Sequence, residues 1–154
     1  PTHVTVSVSL DDISSRTIGF GWEKRLRHGW AAGTEYLNYR NKFTSSVSPI
    51  TGMAETHAFQ VVAKKYFFDG GVFHPYVGGG FGTGYTDIRN TDGGGVILDD
   101  YWSVLLHVAL GMELRVDNLS VMLEVKHMHF DVSDNEVEYD PSATGVLLGM
   151  GFNW

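Results

Sequence analysis

The sequence predicts an all-β protein, an eight-stranded antiparallel up-and-down transmembrane β-barrel that occupies residues 1–154 as a single domain. Three observations predict this fold. About eight segments alternate large apolar side chains with small or polar ones, the period of a β-strand with two different faces. Most of these segments have the ~10-residue length of a strand that crosses a bilayer. The last segment, Gly145–Trp154, carries Phe152 and Trp154 on its apolar face, and aromatic rims are typical of membrane barrels.

The composition excludes several other classes of protein. The chain has 154 residues and no cysteine, so disulfides and thiolate metal sites are excluded. A net charge of -7 argues against nucleic-acid binding, which needs a basic surface. No run approaches the ~18 apolar residues of a transmembrane helix. The sequence starts directly with strand-like residues, so we expect that any export signal has been removed and that a few mature residues precede Pro1.

The predicted strands follow from the alternation of side chains along the chain. In order, they cover about His3–Leu10, Ser15–Lys24, Trp30–Phe43, residues 56–68, Pro75–Arg89, Asp100–Arg115, Leu119–Phe130 and Gly145–Trp154. The first two have clear apolar faces. The third is the weakest, because an inward Glu35 also turns Leu37 and Tyr39 inward, and a β-bulge is one interpretation. The fourth follows a Ser-, Thr-, Pro- and Gly-containing segment, Thr44–Glu55, which is predicted to be a loop.

The second half of the chain has the stronger pattern. In the fifth strand four glycines, Gly78, Gly80, Gly82 and Gly84, share the face opposite Val77, Phe81 and Tyr85. The sixth strand alternates without interruption from Trp102 to Arg115. The seventh places Val121, Leu123 and Val125 on one face, with Glu124 and Lys126 on the other. The eighth closes the barrel.

Short and long connections alternate along the chain. Arg25–Gly29, Asp69–His74 and Val116–Asn118 are short, whereas Thr44–Glu55, Asn90–Val96 and Asp131–Ala143 are longer. Outer-membrane barrels have short periplasmic turns and longer outer loops. This asymmetry predicts a bacterial outer-membrane protein with both termini periplasmic, although the first outer connection, Asp11–Ser14, is short.

The competing interpretation is a soluble up-and-down barrel of the lipocalin kind, with its apolar face inside. The glycines argue against it. On a solvent-exposed face they would weaken the strands without benefit, whereas inside a narrow barrel they relieve crowding.

Three segments give the chain a resemblance to a known family: PYVGGGFGTGYTDI, LGMELRVDNLSVMLEVKHMHFD and the final GVLLGMGFNW. With these motifs it resembles small bacterial outer-membrane barrels of the OmpA-transmembrane and opacity-protein type. The resemblance implies a barrel fold. It also implies that Phe152 and Trp154 form a signal read by the outer-membrane assembly machinery. It does not specify a function, because this fold carries adhesins, anchors and enzymes.

A narrower resemblance is to outer-membrane lipid A deacylases, whose penultimate strand carries a lipid-facing His-x-Ser pair and whose last strand carries a Glu. His129 matches the histidine of that family. The serine position holds Asp131 and the glutamate position aligns with Thr144, so two of the three catalytic groups are missing.

His127, His129 and Asp131 alternate on one predicted strand face. Two imidazoles and a carboxylate at this spacing are compatible with a metal site or with lipid chemistry. The favoured interpretation is half-polar rings at the lipid–water boundary, and the sequence assigns neither a metal nor a cofactor. The outer loops are acidic, which fits either a calcium site or solvated charge. The loop residues concerned are Ser45, Ser46, Asp92, Asp131, Asp134, Glu136, Glu138 and Asp140.

A set of polar side chains is predicted to face the barrel interior. Its members are Glu35, Gln60, Lys64, His107, Glu113, Arg115, Glu124 and Lys126. An eight-stranded barrel is just wide enough to be filled by side chains, and buried charges need partners. The set therefore predicts a salt-bridged plug, with an ion path as the alternative.

The sequence thus favours a non-enzymatic structural, anchoring or interaction protein of the outer membrane. Its expected surroundings are lipid, lipopolysaccharide, the assembly machinery during insertion and a larger membrane complex. The alternatives are a lipid A deacylase-like enzyme centred on His129 and a narrow channel.

Overall fold

The computed structural model is a closed barrel of eight strands, each hydrogen-bonded to its neighbours in chain order, with the last strand pairing with the first. It describes residues 2–9, 15–44, 51–68, 70–90, 101–131 and 142–154. The strands are β1 (Thr2–Ser9), β2 (Ser15–Arg25), β3 (Trp30–Thr44), β4 (Thr51–Tyr66), β5 (Phe73–Asn90), β6 (Tyr101–Val116), β7 (Leu119–Asp131) and β8 (Ala143–Asn153). All pairs are antiparallel, which confirms the predicted fold class.

The ends of the barrel differ. The β2–β3, β4–β5 and β6–β7 connections and both ends of the chain lie at one end, here called the turn end. There Thr2 N donates to the Trp154 carbonyl at 2.9 Å, and Trp154 N donates to the Thr2 carbonyl at 3.1 Å. The opposite end is called the loop end. Among the described residues no helix has the length and apolar character needed to cross a membrane.

Two details of the sequence prediction are wrong. β3 pairs with β2 and β4 in an unbroken register without a bulge, because Leu37 and Tyr39 belong to an apolar cluster inside the barrel. β4 begins at Thr51, so residues 51–55 form strand rather than loop. Their pairing with the end of β3 outweighs the loop-like composition of this segment.

The two faces of the wall have opposite character. Large apolar side chains point outward on every strand, and in β6 they run without interruption from Trp102 to Met112. Exposed aromatic residues gather at the turn end, where they are Trp22, Trp30, Phe67, Phe68, Phe73, Phe152 and Trp154. Others lie near the middle of their strands, namely Phe20, Tyr36, Phe59 and Phe81, and Trp102 lies near the loop end.

Close packing explains the glycines of the inner face. A Cβ atom added at Gly149 would lie 2.9 Å from Met122 Cε, and one at Gly84 would lie 3.2 Å from a Phe130 ring carbon. The inward glycines therefore make room for large side chains that fill the barrel from other strands.

Candidate functional site

The part of the barrel interior next to the turn end contains a chain of buried ion pairs, here called the interior network. Its charged members, in order of contact, are Arg115, Glu113, Arg25, Glu23, Lys64, Glu124, Lys126 and Glu35. Cations and anions alternate throughout, four of each, so the network is neutral. This matters because an unpaired charge in such a place would be costly.

The acidic members each receive more than one partner. Lys64 Nζ lies 3.1 Å from Glu23 Oε2 and 4.0 Å from Glu124 Oε2. Lys126 Nζ lies 2.5 Å from Glu35 Oε2 and 3.0 Å from Glu124 Oε1. Each lysine therefore links two carboxylates that come from different strands.

Glu113 is held by two arginines. Arg115 Nη2 lies 3.2 Å from both of its carboxylate oxygens, and Arg25 Nη2 donates to Oε2. Arg25 also stacks on Tyr66, with Cζ 3.4 Å from the ring centroid. The charge pairs are thus combined with a cation–π contact at the turn end.

Neutral groups complete the network. Tyr66 donates its hydroxyl to Glu23 at 3.0 Å, and Tyr76 donates to Glu124 at 2.7 Å. Gln60 Nε2 donates to Glu35 Oε2 at 2.6 Å. Carboxylates that accept several such bonds are fixed in both position and orientation.

The structure brings seven of the eight predicted interior residues into this network: Glu35, Gln60, Lys64, Glu113, Arg115, Glu124 and Lys126. His107 also points inward and is buried, but its Nδ1 atom has no hydrogen-bond partner among the described residues. Sequence reasoning missed Glu23, which it left out of the predicted interior set, and Arg25, which it assigned to a connection. The signal was present, because Arg25 continues the inward face of Glu23 by one more alternation.

Towards the loop end the barrel interior becomes apolar. Leu37, Tyr39, Ala58, Leu105, Met128 and Phe130 form one buried cluster, here called the apolar plug. Between the plug and the turn end lies a void of about 20 Å³, lined in part by Glu23, Glu35 and Lys64. A void of this size has room for about one water molecule.

The histidines that the sequence singled out lie on the outer face of β7. His127 Nδ1 is 2.7 Å from Thr144 Oγ1, and His129 Nδ1 is 2.9 Å from Ser142 Oγ. The side chain of Asp131 is outside the described residues, as are Ser45, Ser46, Asp92, Asp134, Glu136, Glu138 and Asp140. Within the described part of the chain, no three acidic or histidine side chains come together as a metal site.

A second polar group lies on the outer face of β3 and β4, towards the loop end, and is here called the outer ladder. Arg40 Nη2 contacts both oxygens of Glu55, at 3.0 and 3.1 Å, and Asn38 Nδ2 donates to Oε1 at 2.9 Å. Tyr36 and His57 are joined by a 2.7 Å hydrogen bond. The hydrogen bond from Asn38, followed by the charge and hydrogen bond of Arg40, holds the pKa of the Glu55 carboxyl below its usual range.

The predicted assembly signal lies at the turn end. Phe152 and Trp154 are exposed, with ring centroids 6.2 Å apart. They continue the outward face of β8 to the end of its pairing with β1, where Phe152 is opposite Val4.

Comparison with known proteins identifies the fold. No family model matches the chain, and no curated protein matches it by sequence. Among solved structures, the N-terminal β-barrel domain of Pseudomonas aeruginosa OprF superposes with a TM-score of 0.63 at 14% identity, over 99% of this chain and 96% of that one. Neisserial surface protein A gives a TM-score of 0.65 at 16% identity, over 99% and 94%.

A third similar structure is the attachment invasion locus protein Ail of Yersinia pestis, in complex with the heparin analogue sucrose octasulfate. Its TM-score is 0.53 at 15% identity, over 98% of this chain and 92% of that one. The chain therefore has the fold of small eight-stranded outer-membrane β-barrels, in agreement with the OmpA-like and opacity-like resemblance. The similarity to lipid A deacylases has no counterpart among these structures.

Proposed function

We propose that this protein is an integral barrel of the bacterial outer membrane with a structural, anchoring or interaction role. The observation that carries the proposal is the character of its two faces: apolar side chains cover the outside, whereas the inside holds a neutral charge network beside the apolar plug. A large exposed apolar surface on a soluble protein would cause association, whereas in a bilayer it is the required lipid contact.

The proposed orientation has the turn end in the periplasm and the loop end outside the cell. Short turns on one side and longer connections on the other support it. In this orientation the outer ladder meets the headgroup region of lipopolysaccharide. Phe152 and Trp154 are presented to the assembly machinery during insertion, and the outer loops are available to a partner in a larger membrane complex.

The interior supports a plugged barrel rather than a channel. Leu37 and Leu105 are fully buried in the apolar plug, and the void beside the interior network is close to the size of one water molecule. Ions crossing this interior would lose their hydration without replacement partners in the plug.

Insertion and orientation are tested by refolding the chain into lipid vesicles. We expect a folded form with altered gel mobility before heating, and protease cleavage confined to the outer connections in cells. A chain that stays soluble without lipid as a folded monomer would contradict the proposal.

In planar bilayers the protein should be electrically silent. Steady single-channel conductance would contradict the plugged interior and support the narrow-channel alternative.

One contact favours the second candidate, a lipid A deacylase-like enzyme centred on His129. Ser142 Oγ lies 2.9 Å from His129 Nδ1, the arrangement of a hydroxyl nucleophile and its base. Such enzymes also use a third group to orient the imidazole. Thr144, at the position aligned with that group, bonds to His127 instead.

Mass spectrometry of lipid A separates the two candidates. Cells with and without the protein should show the same acyl pattern if the role is non-enzymatic. A loss of acyl chains that disappears in the His129→Ala variant, but not in His127→Ala, would establish the enzyme.

A further inference from the structure

At the turn end a cavity of about 210 Å³ lies under the β2–β3 connection, here called the mouth pocket. It is separate from the small void beside the interior network. Its lining comprises Arg25, Leu26, His28, Gly29, Trp30, Tyr66, His74 and Arg115. The pocket is therefore bordered by the interior network on one side and by aromatic and apolar residues on the other.

The polar lining of the mouth pocket is cationic or neutral. It has two guanidinium groups, from Arg25 and Arg115, and two imidazoles, from His28 and His74. No carboxylate is among the described residues that line it. Glu23 and Glu113 lie behind the arginines and are already held by them, by Lys64 and by Tyr66.

Both arginines keep hydrogen-bond donors for a further partner. A guanidinium group has five N–H donors. Arg115 donates to Glu113 through Nε and Nη2, and Arg25 donates to Glu113 through Nη2. The Nη1 groups are therefore left for another acceptor. Arg25 Nε lies 3.1 Å from Glu23 Oε1, but it is buried without a hydrogen bond among the described residues.

The roof of the pocket is held in a defined conformation. His28 has a φ of 59°, in the left-handed region that non-glycine residues seldom adopt, and Gly29 follows with a φ of 73°. Leu26 N donates to the Trp30 carbonyl at 2.7 Å, and Lys65 Nζ donates to the His28 carbonyl. These bonds hold the backbone of the connection, and with it the position of His28, at the edge of the pocket.

His74 is positioned in a similar way. Its Nδ1 atom donates to the Phe68 carbonyl at 2.7 Å, so the orientation of the ring at the pocket wall is fixed and Nε2 of the neutral ring is an acceptor. The donors that the cavity offers to a ligand are therefore the two guanidinium groups, which carboxylates hold in place, and preorganised donors of this kind need little rearrangement when a ligand binds.

We infer that the mouth pocket binds an oxyanion, a carboxylate or phosphate group that enters from the turn end. Planar guanidinium groups recognise such oxygens through paired N–H donors. A volume of about 210 Å³ accommodates one such group together with several water molecules. The two sources of this chemistry are a free small anion and the phosphate of a lipid headgroup.

NMR titration of the folded full chain in neutral detergent micelles tests the inference, with inorganic phosphate and acetate as probes at constant ionic strength. We expect saturable shifts of the Arg25 and Arg115 side-chain signals and of the His28 ring. Arg115→Gln should weaken binding about tenfold or more, in line with the loss of a charge-assisted hydrogen bond. The matched control is Arg40→Gln, which removes an arginine paired with a glutamate at the opposite end and should leave the affinity unchanged.

His28→Ala provides a second variant if Arg115→Gln does not fold, because the His28 side chain is exposed on a connection. It should weaken binding severalfold. Shifts that do not saturate, shifts spread equally over all basic residues, or equal affinity in the His28 variant and the wild type would overturn the inference.

Nanodiscs distinguish the two sources of the ligand. If the ligand is a lipid headgroup, discs with phosphatidylglycerol should move the same signals and remove the response to free phosphate, whereas zwitterionic discs should not. If it is a soluble anion, the titration should be the same in both. Signals that move with neither lipid nor free anion would contradict the site itself.

Discussion

Arg25 and Glu113 form an ion pair that crosses the lumen and joins β2 to β6, although 88 positions separate them in the sequence. These strands are not neighbours in the sheet, so the contact ties together opposite parts of the wall. Because Arg115 binds the same carboxylate, one acidic side chain contacts two cations at this level of the barrel.

Glu113→Gln should therefore destabilise the barrel strongly. The substitution keeps the shape of the side chain but removes the negative charge that pairs with the guanidinium groups of Arg25 and Arg115. Breaking a buried ion pair on one side costs about 3–5 kcal/mol. Urea unfolding in lipid vesicles measures the change.

The control for this prediction is Glu55→Gln in the outer ladder. It also removes a carboxylate paired with arginine, but at an exposed position, where the cost is about 0–1 kcal/mol. Equal losses in the two variants would mean that the interior network is no more important than a surface pair.

Glu55 itself should titrate below the usual range of a glutamate. Because its pKa is lowered in the folded state, the stabilisation is present above the pKa of the unfolded chain, about 4.3, and is lost as the pH falls through the lower folded pKa. NMR of the Glu55 side-chain carboxyl carbon measures the value. Asn38→Ala should raise the pKa of Glu55 again, because the hydrogen bond from Asn38 is the largest of the contacts that lower it. An unchanged pKa in this variant would assign the shift to Arg40 alone.

Any residue larger than glycine at position 111 should destabilise the barrel. A Cβ atom there would lie 2.7 Å from Tyr76 Cε1 and closer still to the end of the same ring, whose hydroxyl is held by Glu124. Gly111→Ala should cost about 1–3 kcal/mol, the usual range for overpacking. Gly70→Ala is the control, since nothing lies within 4 Å of its added Cβ. Similar stability of both variants would show that the tyrosine ring moves aside easily.

Whether a feature of the fold or of the interior network could be predicted from the sequence depends on how far apart in the chain the interacting residues lie. Alternation along one strand predicted which face of β6 and β7 is outward, because the period of two is a local property. It also predicted that six charged residues share the interior. Which of them touch could not be predicted, since partners such as Arg25 and Glu113 meet only after the barrel closes with its particular stagger.

The errors have the same origin. Leu37 and Tyr39 suggested a bulge only because the interior was assumed to be polar along its whole length. Towards the loop end, however, the interior holds the apolar plug, to which both residues belong. Residues 51–55 have the composition of a loop, and the partner strand decides their structure. The pair Arg40–Glu55 illustrates this, because it connects two residues whose register is fixed by the whole β3–β4 hairpin.

The final prediction concerns the outer face of β6, where Val108 and Val116 offer a matched comparison. Both are valines on the same face of one strand, and their exposed fractions are 63% and 62%. Val108 lies near the middle of the strand and Val116 ends it at the turn end. If the outer face meets lipid, Val108→Arg places a charge near the bilayer midplane, which costs about 2–4 kcal/mol in outer-membrane barrels.

Val116→Arg should cost only about 0–1 kcal/mol, because near the interface the arginine reaches water. Unfolding from lipid vesicles measures both variants, and repeating it in detergent micelles should reduce the difference between them. In a barrel whose outer face met water, both substitutions would be nearly neutral, since a surface valine is readily replaced by a charged residue. The depth dependence, rather than either value alone, therefore decides whether this apolar face meets lipid.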